Sequence, residues 1–338
     1  MSWYLPAVFY KPGNFRPVQK NEFHKQSPMK EKLNTGKKIM MLIIAGLLSF
    51  SEASQSFAQP GFAQPADPYK TDPEGPGKIE GMQLVWNDEF NIDGQPDPGK
   101  WGNEYGFVRN RELQWYQPQN AICKNGSLLI EGKKERIANP DYHPSGRDWR
   151  TNREYAEYSS SCLLTRGLHE WPVFGYFEIR ARIDTTRGSW PAIWLLGTRG
   201  RWPHCGEIDI MEFYRIDGEP TILANAAWGS EKKFRGEWDT AKVPLRKFLD
   251  SDPDWVKKFH VFSMHWDRET IQIYIDGSLI NKIPLDQTVN PDGSNPFRDN
   301  NPHYILLNLA LGSNGGEPDD DNFPITFEVD YVRVYQFN

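Results

Sequence analysis

The chain has 338 residues, with 39 Lys/Arg against 45 Asp/Glu for a formal charge of −6. Such an acidic balance makes it a poor candidate for binding nucleic acid through phosphates, while the length permits a sizeable core. Three cysteines, Cys123, Cys162 and Cys205, leave at least one thiol unpaired in a monomer, and their spacing does not resemble a zinc site.

In chain order, residues 1–28 read as an extension ahead of a true start at Met29 or Met40. Residues 29–58 read as a secretory signal. "KEKLNTGKK" is its basic region, "IMMLIIAGLLSF" (39–50) its apolar core and "SFA" (56–58) its cleavage site after Ala58. The apolar run has 12 residues, against roughly 20 needed to span a bilayer, so no lasting membrane span is expected. Cleavage there removes eight Lys/Arg and three Asp/Glu, and the charge falls from −6 to −11. The protein is expected to be secreted, to the periplasm or the extracellular space, as a monomer. The stretch 57–78 repeats "FAQP" and is thick with Pro and Gly, which predicts that residues 59–78 form an extended linker with no core of its own.

Residues 79–338 change character and form one predicted domain. Short apolar or alternating runs are separated by turn residues. They include "SLLIEGK" (127–133), "GYFEIRARID" (175–184), "WPAIWLLG" (190–197), "EIDIMEF" (207–213), "FHVFSMHWD" (259–267), "HYILLNLAL" (303–311) and "TFEVDYVRVYQF" (326–337). Many short strands with little helical periodicity predict an all-β sandwich or barrel. "TIQIYIDGSLINKI" has the pattern of a hairpin turning at Asp276-Gly277. A short helix is expected within 245–258, and the loops 134–160, 286–302 and 312–324 are longer than connectors need. Asp319, Asp320 and Asp321 read as a solvated acidic tip.

"GEIDIMEF" (206–213) holds Glu207, Asp209 and Glu212. On a strand the first two share a face, whereas strict alternation sends Glu212 to the other. One extra residue at Ile210 or Met211, a β-bulge, restores parity and brings Glu212 back. Three carboxylates on one face must be protonated, paired or metal-bound. A polar outer strand with arginine partners and a calcium site both fit the triplet. Glycoside hydrolysis also fits, since it needs one carboxylate to attack or activate water and a second, protonated, to act as acid. Asp209 would then hold a proton shared with Glu207. The aromatic content favours the last reading: Trp190, Trp194, Trp202, Trp115, Tyr116, Trp149, Trp171 and Trp228 offer flat faces suited to sugar rings.

The chain resembles glycoside hydrolase family 16. "GEIDIMEF" is similar to that family's signature in its longer form, and "LVWNDEF" (84–90), "RELQWY" (111–116), "GYFEIRARI", "GSWPAIWLLG" and "VDYVRVYQ" (329–336) match its other segments in order. The resemblance covers residues 82–338. It implies a two-sheet antiparallel β-jelly-roll sandwich of the concanavalin type, with a polysaccharide lying in a concave cleft. It also implies a retaining endo-hydrolase that needs no cofactor. Glu207 would be its nucleophile, Asp209 the assisting residue and Glu212 the acid/base. Trp190, Trp194, Trp202, Asn110 and Glu112 match cleft positions, and Trp115 and Trp228 join them as candidate sugar contacts. Asp330 on the last strand matches a residue that holds a structural calcium in some relatives.

The expected substrate is a β-1,3- or β-1,3/1,4-glucan. Laminarin-degrading relatives often carry a His on the strand after the signature, where this chain reads "TILANAAWGS" (221–230). The alternative is therefore a β-galactan of the agar, porphyran or carrageenan type, or a host glycan. Arg109, Arg111, Arg147, Arg150 and Arg153 are candidate sulfate contacts. The remaining rivals are a transglycosylase and a non-catalytic sugar-binding jelly roll, and the retention of all three carboxylates speaks against the latter.

Overall fold

The structure, a computed structural model, describes residues 67–338 apart from 73 and 233. The expected extension, signal and first part of the linker lie outside the described residues. Two sheets face one another as a β-jelly-roll sandwich. The larger runs Ser278–Pro284, Thr270–Ile275, His260–Trp266, Gly175–Ile183, Ile325–Phe337, Ser127–Ala138, Tyr155–Ser160 and Gln114–Tyr116, with Met82–Asp88 and Ala121–Lys124 paired beside it. The smaller runs Gly236–Pro244, Glu219–Gly229, Glu207–Ile216, Ser189–Gly197, His303–Leu311, Cys162–Leu164 and Gly102–Asn103. Every pairing of these strands is antiparallel except that of Gln114–Tyr116 with Tyr155–Ser160.

Alternation along the strands builds the core. Ile193, Leu195, Ile208, Phe213, Ile222, Ala224, Ile305 and Leu307 of the smaller sheet meet Phe177, Ile179, Phe262, Met264, Val332 and Val334 of the larger one. Burying each large side chain stabilises the sandwich by about 1.5–3 kcal/mol. The expected hairpin forms between Thr270–Ile275 and Ser278–Pro284. Asp276 and Gly277 take φ values of 47° and 74° there, the left-handed pair that a tight twisted turn needs. The expected helical stretch resolves into one α-turn at Arg246–Leu249 and a 3-10 turn at Trp255–Lys257. All three cysteines are buried and unpaired. Burial pushes the Cys205 thiol up to about 12, as befits an inert core residue.

Two expectations change on the outer face of the larger sheet. Residues 67–78, apart from 73, begin with a turn at 67–70 and are docked on the domain rather than standing apart from it. Lys70 and Asp67 present backbone carbonyls to the Arg180 guanidinium, Asp72 accepts from Arg333, and Gly77 accepts from the Tyr335 hydroxyl. A Pro/Gly-rich chain has no ladder of its own, so its carbonyls are free to satisfy buried arginines.

The second change concerns Asp330, the candidate calcium ligand. Its carboxylate is ion-paired with Arg180, both side chains being 2% exposed, and it also accepts from the Asp72 backbone N–H. Burial pushes Asp330 up to about 6, against the pull of Arg180. A guanidinium already faces these oxygens, and among the described residues no group of three His, Cys, Asp or Glu is placed to hold a metal. The residues present do not fit a calcium ion, which asks for a shell of six to eight oxygens.

Two outcomes are expected. EDTA should leave the unfolding midpoint unchanged in thermal scans. Arg180→Ala, which strands a buried carboxylate, should cost about 3–5 kcal/mol in chemical denaturation.

Candidate active site

The outer face of the smaller sheet carries the carboxylates, and a bulge puts them there. Against the Ser189–Gly197 strand, Asp209 stands opposite Trp194, Met211 opposite Ile193 and Glu212 opposite Ala192. Ile210 therefore has no opposite number. The neighbouring Glu219–Gly229 strand shows the same slip, with Asp209 opposite Asn225 and Glu212 opposite Leu223. Trp194 and Ala192 are two apart and share a face, so Asp209 and Glu212 do as well. The expected bulge is present, and Ile210 and Met211 are both part of the core.

Each outer carboxylate has its own indole donor. Trp202 Nε1 donates to Glu207 Oε2 at 2.9 Å, and Trp190 Nε1 donates to Glu212 Oε1 at 3.1 Å. Asn225 Nδ2 donates at 3.0 Å to both Asp209 Oδ2 and Glu212 Oε2. Asp209 is 2% exposed, whereas Glu207 and Glu212 keep part of their surface open.

Desolvation is the largest influence on all three and raises each above the usual carboxylate range. Glu207 is pushed up to about 8, with the charge of Glu212 adding to burial and the Trp202 and Arg109 contacts opposing it. Asp209 and Glu212 are held well above normal, first by desolvation and then by the charge of a neighbouring carboxylate. These two carboxyls are in hydrogen-bonding contact with each other. Glu207 acts on Asp209 through its charge.

The other candidates divide. Trp194 stands beside Asp209, with its Nε1 donating to Asn308 Oδ1 at 2.7 Å, and Asn308 in turn donates to the Tyr116 hydroxyl. Glu112 is buried. It accepts from Gln114 and, at 3.3 Å, from Asn110, so it organises the 109–116 segment. The Leu113 backbone N–H donates to the Leu311 carbonyl and ties that segment to the His303–Leu311 strand. Trp115 packs edge-on against Phe107, and Trp149 tilts against the same ring. Trp228 is packed against the core, on the opposite side of its strand from Asn225.

Three of the candidate sulfate arginines are held by this protein's own groups. Arg109 pairs with Glu104 and lies over Trp194, 5.1 Å from the ring centroid. Arg150 bonds Asp148 and the Val108 carbonyl, and Arg153 bonds the carbonyls of Glu112 and Arg111. Sequence reasoning missed Asn225. Its one signal was a lone amide in an otherwise apolar strand.

Comparison with known proteins agrees with this geometry. The family model described as Glycosyl hydrolases family 16 matches residues 150–333. The chain is 34% identical over 276 residues to a beta-glucanase of Rhodothermus marinus, covering 77% of this chain and 87% of that protein. A solved non-specific endo-β-1,3(4)-glucanase of family 16 superposes with a TM-score of 0.63 at 35% identity, covering 81% of this chain and 98% of the other. Another structure, from work on endo-acting O-glycanases with which prominent members of the human gut microbiota initiate mucin breakdown, gives a TM-score of 0.68 at 33% identity over 80% and 94%. A match over more than half its length, together with these relatives, makes the chain a member of glycoside hydrolase family 16, an endo-acting enzyme that hydrolyses O-glycosyl bonds.

Proposed function

We propose that the protein is exported and cleaves internal bonds of a β-1,3- or β-1,3/1,4-glucan with retention, using Glu207 as nucleophile, Glu212 as acid/base and Asp209 as the residue between them. The bulge at Ile210 carries the reading, because it alone turns Glu212 to the face of Glu207. Glu207 attacks the anomeric carbon while the Glu212 proton passes to the leaving oxygen. Glu212, now ionised, then takes a proton from water as the water displaces Glu207. Asn225 and Asp209 hold Glu212 in place, and Trp202 favours the ionised form of Glu207. The names of the Rhodothermus enzyme and the endo-β-1,3(4)-glucanase support the glucan. Export rests on the leader read in the sequence. Among the described residues, no helix is long and apolar enough to cross a membrane.

A second substrate, a galactose-containing host or mucin glycan, is favoured by one observation. Ala227 stands opposite Glu207 and Asn225 opposite Asp209, and this strand lacks the His that laminarin-degrading relatives often carry on it. The mucin-related structure points the same way. A reducing-end assay over β-1,3-glucan, mixed-linkage glucan, agar-type galactan and mucin glycans decides between them. Activity on the glucans alone supports the first reading, and activity on mucin alone replaces it.

Glu207→Gln and Glu212→Gln are each expected to lower kcat by more than about 10³-fold, with Asp209→Asn slowing turnover less. Near-normal activity in Glu207→Gln would refute the assignment. The raised carboxyls also predict a stability effect. The folded state binds protons more tightly than the unfolded chain between the ordinary carboxylate range and about pH 8 for Glu207, so stability falls as pH rises through that window. Glu207→Gln should therefore be more stable than the wild type at neutral pH, by about 0.5–2 kcal/mol, and unfold at a higher temperature. The acidic limb of the pH profile reports Glu207 ionising. Trp202→Phe removes a donor to the charged form and should move that limb to higher pH.

A further inference from the structure

The outermost strand of the smaller sheet carries an exposed aromatic ring in register with the carboxylates. Trp238 on Gly236–Pro244 stands opposite Ala227, which stands opposite Glu207. Directly opposed residues share a face, so all three project from the outer face of the sheet. Ala227, the residue in register between Trp238 and Glu207, contributes only a methyl group. Two inter-strand spacings put their backbones about 10 Å apart, within reach of one glycan chain. Trp238 is 45% exposed, unlike the other tryptophans of this face, Trp190 and Trp194, at 6% and 8%.

The ring is also seated. A Cβ built on Gly236 would lie 3.1 Å from Trp238 Nε1 and 3.4 Å from Pro203 Cβ. The indole therefore leans back over a glycine toward the Trp202–Pro203 turn, and Trp202 is the donor to Glu207. Along the same outer strand Thr240 is opposite Asn225 and Lys242 opposite Leu223, both exposed and on the Trp238 face. A flat apolar ring flanked by a hydroxyl and an ammonium suits a hexopyranose, which has apolar C–H faces and a polar rim.

We propose that Trp238 is a sugar-binding platform on the outer strand, stacking on a pyranose ring of the same chain that Glu207 and Glu212 cleave, with Thr240 and Lys242 beside it for that sugar's hydroxyls. The proposal rests on the functional reading above. It makes Trp238 a binding residue, not a catalytic one.

The test compares wild type, Trp238→Ala and Trp238→Phe on a linear β-1,3-linked glucose hexamer. Steady-state kinetics is read together with the position of cleavage along the chain. Trp238→Ala is expected to raise KM about tenfold, the effect of roughly 1.4 kcal/mol, with kcat held within about twofold. The preferred cleavage position should shift. Trp238→Phe should restore most of the loss, and the thermal midpoint should be unchanged in both, because the ring is exposed. An unchanged KM and cleavage pattern in Trp238→Ala, with an active wild type, overturns the platform alone. A fall in kcat at constant KM, or an equal loss in Trp238→Phe, overturns it as well. A wild type inert toward the hexamer sinks the glucan reading and this glucan subsite with it, a result distinct from both.

Discussion

An unpaired residue, Ile210, underlies the arrangement of the whole site. Side chains on a strand alternate with a period of two, and Glu207, Asp209 and Glu212 cannot share a face in a regular strand. The extra residue in the ladder changes the count on both sides of the strand at once, since both neighbours slip at the same place. Ile210 and Met211 are consecutive yet both enter the core, which supplies apolar contact to hold the kink in place. The carboxylates are thus fixed by packing on the far side of the sheet from them. Loosening that packing would misplace the acid without touching it.

Gathering three acids on a partly dry surface raises all of them, and the surrounding donors divide the labour. Two indoles each reach one outer carboxylate, while a single amide, Asn225, bridges the inner carboxylate and Glu212. The most buried of the three, Asp209, is in hydrogen-bonding contact with Glu212 and feels the charge of Glu207. Environments that push like groups apart are what allow one carboxylate to act as acid beside another acting as base. The fold is destabilised by this crowding, which is why removing one of these acids should steady the protein while stopping it.

The rest of the molecule is arranged to hold this face. The segment 104–116 folds over the Trp194 side of the sheet, tied by Glu112, Gln114 and the chain of contacts from Trp194 through Asn308 to Tyr116. Arg109, Arg150 and Arg153, which look free in the sequence, are held by carbonyls and carboxylates within this cover. On the opposite face, Arg180 and Arg333 are buried with Asp330, Glu89 and Asp72, and they clasp the chain that leads into the domain. A fixed guanidinium there performs the role of a cation.

Much of this was legible in the sequence. Period-two alternation and regular turn residues pointed to an all-β sandwich or barrel, the resemblance to family 16 narrowed it to the sandwich, and Asp276-Gly277 marked its hairpin. The spacing of Glu207, Asp209 and Glu212 showed that the three could share a face only through a bulge. These are local properties, set by backbone geometry over a few residues. Partnership across strands was not legible, because register joins residues far apart in the chain. Asn225 meets Asp209, Arg180 meets Asp330 and Trp238 falls in line with Glu207 only once the sheet has formed. For the same reason Trp228 faced the core and Trp238 the outside, although nothing local distinguishes the two rings. The sequence by itself supplied the three acids, the spacing that lets one bulge bring them together, and the segments that resemble family 16. Tertiary structure alone decided which donors meet them and which aromatic rings remain open to solvent, since burial and hydrogen bonding depend on the strand that happens to lie alongside.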